Sequence, residues 1–269
     1  MIKALFFDLD GTLLTSSKKI SDNTKSVLRN CREKGIKIFT ATARPPFISK
    51  MLDLSPEEDE LLQDGGIFYN GGCIRLESEK LYTFLDEEAV RKCIKILENC
   101  TEVNFALQSK DELHSFRHNL TDEEYKMWGV GTDGIISYKS LKYNNVVKIM
   151  AFFPWDKLQA LREQLIFEIG DSANIYLTGR KDFKSIEIVS NKINKKLAID
   201  KIIELCEFEP DQIAVFGDDN NDMEMLSGFK HSFAMGNACN EVKSTARYIT
   251  LGNDQDGIPH AIKNILKIL

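Results

Sequence analysis

The sequence predicts an α/β fold, a parallel sheet flanked by helices and interrupted by an inserted α+β domain of about 100 residues, a usual domain size. Three observations carry this. The chain opens with a short apolar run, a helix-spaced stretch and a second apolar run. Its end repeats that order. Between the two, strands follow strands directly and helices stand between pairs of them.

In "IKALFFDLDGT" the apolar run 2–7 is stopped by Asp8, Asp10 and Gly11, the pattern of a short buried strand. From 21 to 34 the period turns helical: Ile20, Thr24, Val27, Leu28 and Cys31 share a face, Ser21 is placed as N-cap and Gly35 as the residue past the end. "IKIFTATARPP" is a second strand, closing in small polar residues and Arg44 before Pro45 and Pro46. A β-α-β start implies parallel pairing.

From Thr83 to Lys184 the pattern predicts a helix over 86–99, strands over 102–108 and near 112–117, and a short helix near 121–128. A strand "VVKIMAFFP", a helix over 155–168 and strands near 173–178 and 184–189 complete the insert. Then "KKLAIDKIIELC" is helical, "QIAVF" is a buried strand, "GDDNND" is a polar loop at its carboxyl end, and a helix "DMEMLSG" stops at Gly228. "HSFAMGNA", "ARYITLGN" and a helix "GIPHAIKNILKIL" finish the chain. The division this implies is a core of 1–82 and 186–269 around an insert of 83–185, with no internal repeat and no low-complexity tract.

With 43% hydrophobic and 28% charged residues in 269, the composition is that of a soluble globular protein. A net charge of −6 speaks against nucleic acid as a partner, and makes any anionic ligand depend on local positive charge. The cysteines at 31, 73, 93, 100, 206 and 239 show neither a CxxC pair nor zinc spacing, which fits free thiols in a reducing compartment. No run of 18 apolar residues and no leader-like pattern occurs, so the expectation is a cytoplasmic protein without a membrane partner, a monomer or a homodimer.

In open parallel sheets the ligand crevice lies outside the carboxyl ends of the strands. "DLDGT", "TATAR", "NKINKK" and "GDDNND" all fall at that edge. Each alone has an ordinary reading: turn carboxylates, acids at a helix start, solvated lysines, a strand-end hydroxyl at Thr42, a surface guanidinium at Arg44. Together they bring Asp8, Asp10, Asp218 and Asp222 to one edge, where like charges repel unless a cation lies among them. Asp8 and Asp10, two apart on an extended chain, share one face. Oxygen-only ligands fit Mg²⁺ better than zinc.

"DLDGTLL", "ATAR", "NKINKKLAI" and "GDDNNDMEML", followed by "FAMGNACNEVKSTARYIT" and "DQDGI", resemble the haloacid dehalogenase-like phosphatase superfamily. The likeness is to its Cof-type branch, whose large cap is inserted between the second and third motifs. It spans both halves of the core, while the insert matches in position, length and α+β pattern. The resemblance implies a Rossmann-like core with a cap, and a Mg²⁺-dependent phosphoric monoester hydrolase of small phosphorylated metabolites. Sugar phosphates are the first expectation, FMN and pyridoxal phosphate the next.

Carried over by position, the resemblance makes Asp8 the nucleophile that forms an aspartyl-phosphate and Asp10 the acid and base. Asp8, Asp218 and the Asp10 backbone carbonyl would hold Mg²⁺. Thr42 and Lys195 would hold the phosphate oxygens, and Arg44 and Asn221 would face the substrate. Asn221 and Asp222 would orient the metal shell or contact its water. Ala43 stands where the family often has glycine, which leaves the role of Arg44 open. Lys196 also replaces a common glycine, and we assign it to water.

Specificity is expected from the cap, whose closure would exclude water and contact the leaving group. Arg117, His118, Tyr176, Thr178 and Arg180 are the candidates there, being near predicted strand ends. Asn70 and Gly71 in "YNGG" match either a family turn near the cap hinge or a plain hairpin turn. Two other functions compete: a phosphomutase, which returns the phosphoryl group, and a non-catalytic phospho-ligand-binding protein, disfavoured because Asp8 and Asp10 are both present. A P-type ATPase domain, with its "DKTGT", is disfavoured by Asp10 and by the absence of apolar spans.

Overall fold

The computed structural model describes residues 1–152, 155–180 and 183–269, with side chains throughout except at 127, 132, 138, 155–157, 179, 180 and 183. The chain forms two compact units, Met1–Leu81 with Asn194–Leu269, and Tyr82–Ile193.

The first unit begins β1 (Ala4–Phe7), α1 (Asp22–Glu33), β2 (Lys37–Ala41). Ser21 accepts the Thr24 N–H at 3.2 Å to cap α1, whose buried stripe is Thr24, Val27, Leu28 and Cys31. Two short helices follow, α2 (Ile48–Leu52) and α3 (Pro56–Leu61), the second closed by a Ser55–Glu58 capping box. Neither is foreseen in the sequence, because five and six residues show too little of a helical period. Strands β3 (Gly66–Phe68), β4 (Cys73–Leu76) and β5 (Glu79–Tyr82) extend the sheet.

The second unit runs α4 (Glu87–Asn99), β6 (Asn104–Ser109), β7 (His114–Phe116), α5 (Asp122–Trp128), β8 (Val146–Phe152), α6 (Trp155–Ile169), β9 (Ala173–Arg180) and β10 (Phe183–Ser190). The last two residues of the "VVKIMAFFP" strand, 153 and 154, lie outside the described residues. The first unit then resumes with α7 (Lys195–Leu205), β11 (Ile213–Gly217), α8 (Met223–Gly228), β12 (His231–Ala234), α9 (Asn240–Thr245), β13 (Tyr248–Ile249) and α10 (Gly257–His260). The final helix is not uniform: beyond His260 it continues in the wider π form over Ala261–Leu266.

Among the described residues the first unit's sheet has the order β13-β12-β11-β1-β2-β3-β4-β5. Pairing is parallel from β13 to β3 and antiparallel at β3–β4. The chain leaves β1 for β2 on one side and later returns to β11 on the other, so the strand order reverses at the β1–β11 boundary. That reversal opens the ligand crevice of such sheets. With Phe7 opposite Phe216, the next residues bring Asp8 and Asp218 to one edge.

Both faces of the sheet are packed. On one, Phe6 stacks on Phe39 at 4.8 Å, and α7, α8 and α9 add Ile199, Ile202, Met225, Leu226 and Val242. On the other, Phe7, Phe216, Phe233 and Tyr248 form a ladder across four strands with centroids 4.8, 4.7 and 5.2 Å apart. The second unit's sheet, β7-β6-β8-β10-β9, is antiparallel throughout. Helices α4 and α6 bury Val90, Ile94, Leu97, Leu158, Leu161 and Leu165 against its Phe105, Leu107, Ile149 and Ile186.

The fold is thus α/β with a mainly parallel core sheet and a separate antiparallel insert sheet. The second unit ends at Ile193 instead of at 185, because β10 pairs with β9 from Phe183 to Ser190 and cannot leave its sheet midway. No helix among the described residues is long and apolar enough to cross a membrane.

Gly217 closes β11 where a Cβ would lie 2.6 Å from Cβ and Cγ of Asp222. Gly217→Ala is expected to cost about 1–3 kcal/mol of stability, as overpacking does, read as a lowered urea midpoint with an unchanged slope.

Candidate active site

Lys195 is the first residue of α7, behind Asn194, whose side chain accepts the Leu197 N–H at 2.8 Å. Its side chain is fully buried, and its ammonium donates to Asp8 at 2.7 Å and to Asp222 at 2.6 Å. Asp222, also fully buried, accepts the backbone N–H groups of Asp218 and Asp219 on its other oxygen, at 2.9 and 3.0 Å. The Thr12 hydroxyl donates to Asp218 at 2.8 Å. Two strand ends, those of β1 and β11, and one helix start therefore meet in a single bonded cluster. Lys196, one residue on, pairs instead with Asp200 at 2.6 Å and lies over Gly228.

Asp10 belongs to a second arrangement. Arg44 grips both of its oxygens, Nε on Oδ2 at 2.6 Å and Nη2 on Oδ1 at 2.8 Å, and Lys18 donates to Oδ1 as well. Thr42 is buried at the end of β2, and its hydroxyl oxygen accepts the Arg44 N–H at 3.1 Å. Ala43 keeps a negative φ, so its methyl group does not strain the loop that carries Arg44. Asn70 does sit in the hairpin turn between β3 and β4, at φ 57°, and it also reaches the site: its side-chain oxygen accepts from Asn221 at 2.9 Å.

The charges explain these bonds. Burial pushes the Asp8 carboxyl well above its usual value, with Lys195 pulling down and Asp222 and Asp218 pushing further up. Burial and then Asp222 push Asp218 up to about 7. Burial alone would lower Lys195; Asp222 and Asp8 outweigh it and hold the ammonium above the ordinary lysine value. Asp10 goes the other way: burial would raise it, but Arg44 and Lys18 hold it well below the usual carboxylate range.

Oxygens of Asp8, Asp218 and Asp222 lie within 4.8 Å of one another. One ammonium against three clustered carboxylates leaves an excess of negative charge, and the donor set is oxygen only, so a hard divalent cation fits. Within that cluster both oxygens of Asp222 are bonded, by Lys195 and by the N–H groups of 218 and 219, and those of Asp218 accept from Thr12 at 2.8 Å and from Asn237 at 3.3 Å. The Asp10 carboxylate is turned to Arg44 and Lys18, leaving its backbone carbonyl as the atom it would offer.

A family model described as haloacid dehalogenase-like hydrolase matches residues 5–262. The chain belongs to that family. It is 27% identical over 271 residues to the putative phosphatase YkrA of Bacillus subtilis, covering 98% of this chain and 97% of that one. It is 25% identical to YcsE of the same organism, a 5-amino-6-(5-phospho-D-ribitylamino)uracil phosphatase, over 98% and 95%. Among solved structures it matches the haloacid dehalogenase subclass IIB sugar phosphatase BT4131 with a TM-score of 0.83 and 28% identity, over 99% of this chain and all of the other. A haloacid dehalogenase-like hydrolase from Bacteroides thetaiotaomicron matches at 0.82 and 25% identity. With such relatives along its whole length, the chain is a haloacid dehalogenase-type phosphatase of small phosphorylated metabolites.

In the cap of this haloacid dehalogenase-like hydrolase the expected residues divide. Arg117 closes the end of α4, donating to the carbonyls of Leu97 and Cys100 at 2.8 Å and of Glu98 at 3.0 Å. His118 is exposed, and its backbone N–H bonds the Asn104 side chain. Tyr176 and Thr178 lie on β9 opposite Glu187 and Ser185, with Thr178 and Ser185 hydroxyls 3.1 Å apart. The Arg180 side chain lies outside the described residues.

The same sheet face holds polar groups that the sequence reading passes over: a buried Lys148–Glu187 pair at 2.8 Å, and His114 bonded to Gln108 at 2.9 Å. Burial pushes His114 down to about 4. Their signal is polar residues at alternate positions of otherwise apolar strands, which share one face. Lys18 is likewise missed, since a lysine in a polar loop carries no signal of its own.

Two outcomes are expected. Asp8 and Asp218 sit above the 3.8 of a free aspartate; the stability that Asp218 contributes without metal is full below pH 4 and lost as pH rises through about 7, and that of Asp8 is lost in the same direction. Mg²⁺ competes with those protons, so it will raise the melting temperature more at pH 8 than at pH 5 and will release protons near pH 6, read by scanning fluorimetry and calorimetry. Arg117→Ala will cost about 1–3 kcal/mol of stability through its lost carbonyl bonds, with KM for any ester unchanged.

Proposed function

We propose that the chain is a Mg²⁺-dependent phosphatase that hydrolyses sugar phosphates, and next to them FMN or pyridoxal phosphate, through an aspartyl-phosphate on Asp8. The observation that carries this reading is the Asp8 carboxylate at the end of β1, 2.7 Å from a buried ammonium and clustered with Asp218 and Asp222. A carboxylate nucleophile divides phosphoryl transfer into two easier steps.

In the first step an Asp8 oxygen attacks phosphorus, and Asp10 gives the departing alkoxide its proton. Lys195 offsets the charge of Asp8 and of the phosphate oxygens. The Thr42 hydroxyl, whose oxygen accepts from Arg44, turns its own proton to a phosphate oxygen. In the second step Asp10, now a carboxylate, takes a proton from the water that attacks the aspartyl-phosphate, and Asp8 and free phosphate are restored. Asp222 keeps Lys195 and the backbone at 218 and 219 in place, and Asn221 is steadied by Asn70. Bound Mg²⁺, held by Asp8, Asp218 and the Asp10 carbonyl, would shield Asp8 from the phosphate's charge and stabilise charge in the transition state.

The substrate class is supported by the relatives. YcsE acts on a phosphate carried by a ribityl chain, and BT4131 is a sugar phosphatase. The test is free-phosphate release from sugar phosphates, nucleotides, FMN and pyridoxal phosphate, with Mg²⁺ and with EDTA. Release is expected with Mg²⁺ only, greatest for a sugar phosphate, and reduced about a thousandfold or more in Asp8→Asn. Isomerised ester without free phosphate would make the chain a phosphomutase. No reaction of any ester by folded, Mg²⁺-bound protein would remove the catalytic reading.

A further inference from the structure

Arg44 was expected to face the substrate, yet the edge of its guanidinium that takes two oxygens at once is filled by a carboxylate. Nε and Nη2 meet the two oxygens of Asp10 at 2.6 and 2.8 Å, the parallel geometry of a bidentate pair. The backbone of Arg44 is fixed on both sides: its N–H donates to the Thr42 hydroxyl at 3.1 Å and its carbonyl accepts the Tyr69 N–H at 3.0 Å. Lys18 reaches Asp10 from the turn after β1, where its own N–H donates to the Thr15 carbonyl at 2.9 Å. Asp10 itself stands before Gly11, at φ 99°, with a side chain 31% exposed.

We infer that Arg44, with Lys18, is a positioning residue for Asp10 and not a ligand of the substrate phosphate. This rests on Asp10 being the acid and base of the proposed reaction. Arg44 then matters only in the steps where Asp10 moves a proton: giving one to a poor alkoxide leaving group, and taking one from water. An aryl ester such as p-nitrophenyl phosphate leaves as a stable phenolate and needs no proton in the first step. Loss of Arg44 therefore spares the first step with that ester and slows the second.

The experiment is rapid mixing of wild type, Arg44→Ala, Asp10→Asn and the double variant with p-nitrophenyl phosphate, beside steady-state turnover of glucose 6-phosphate. Arg44→Ala is expected to lose about 10–100-fold in glucose 6-phosphate turnover, as a misplaced catalytic group does. It should still give a burst of p-nitrophenolate, with burst rate and KM within about threefold of wild type. Added to Asp10→Asn it should cost nothing more, because the two act as one unit.

A burst rate that falls with turnover, a KM raised about tenfold, or losses that multiply in the double variant would place Arg44 on the substrate and overturn the inference. If Arg44→Ala does not fold, Arg44→Lys removes the fork and keeps the charge, and Lys18→Ala removes the second cation; each must show the same burst with slowed turnover. A wild type that never forms a phosphoenzyme would defeat the reading of Asp8. A wild type that does, with multiplying losses, defeats only this inference.

Discussion

A fully buried ammonium between two buried carboxylates is the constraint on which the site depends. Lys195 begins a helix, where the backbone dipole disfavours a cation, and it has no contact with water to offset that. Only Asp8 and Asp222, at 2.7 and 2.6 Å, make the position tenable. Removing one partner of such a buried pair typically costs about 3–5 kcal/mol, since the other charge is left uncompensated. The pair also ties three parts of the chain together: the end of β1, the start of α7 and the loop after β11.

Two electrostatic regimes lie side by side at that edge. Asp8 and Asp218 are crowded by burial and by other acids, so their carboxyls hold protons more tightly than usual and favour an added cation. Asp10, two residues on, has two cations of its own, which outweigh burial and hold its carboxyl below the usual range. The short turn after β1 separates them. Groups that share a strand face are thus given opposite tendencies by their partners.

The family's core chemistry is common to many esters, and the insert carries a different kind of information. Its apolar sheet face is covered by α4 and α6, while the other face bears two buried polar pairs, Lys148 with Glu187 and Gln108 with His114, and the half-buried Tyr176 opposite Glu187. Such networks fix the geometry of a sheet face when their members are satisfied. Arg117, by contrast, serves the helix that covers the apolar face.

What the sequence by itself determined were the features written in local periods and motifs. The β-α-β grammar, the cap at Ser21, the amphipathic face of α1 and the acids at strand ends all depend on neighbours within a few residues. Tertiary structure alone decided the rest. Arg44 is spoken for by Asp10, 34 positions away, and Asp218 by Thr12, 206 away. The insert ends at Ile193 because β10 stays paired, and α2 and α3 are too short to leave a period. Lys195 shows the reason most plainly. In a lysine-rich stretch its spacing is that of a solvated face, and only the carboxylates brought by two distant strand ends turn it into the buried centre of the site.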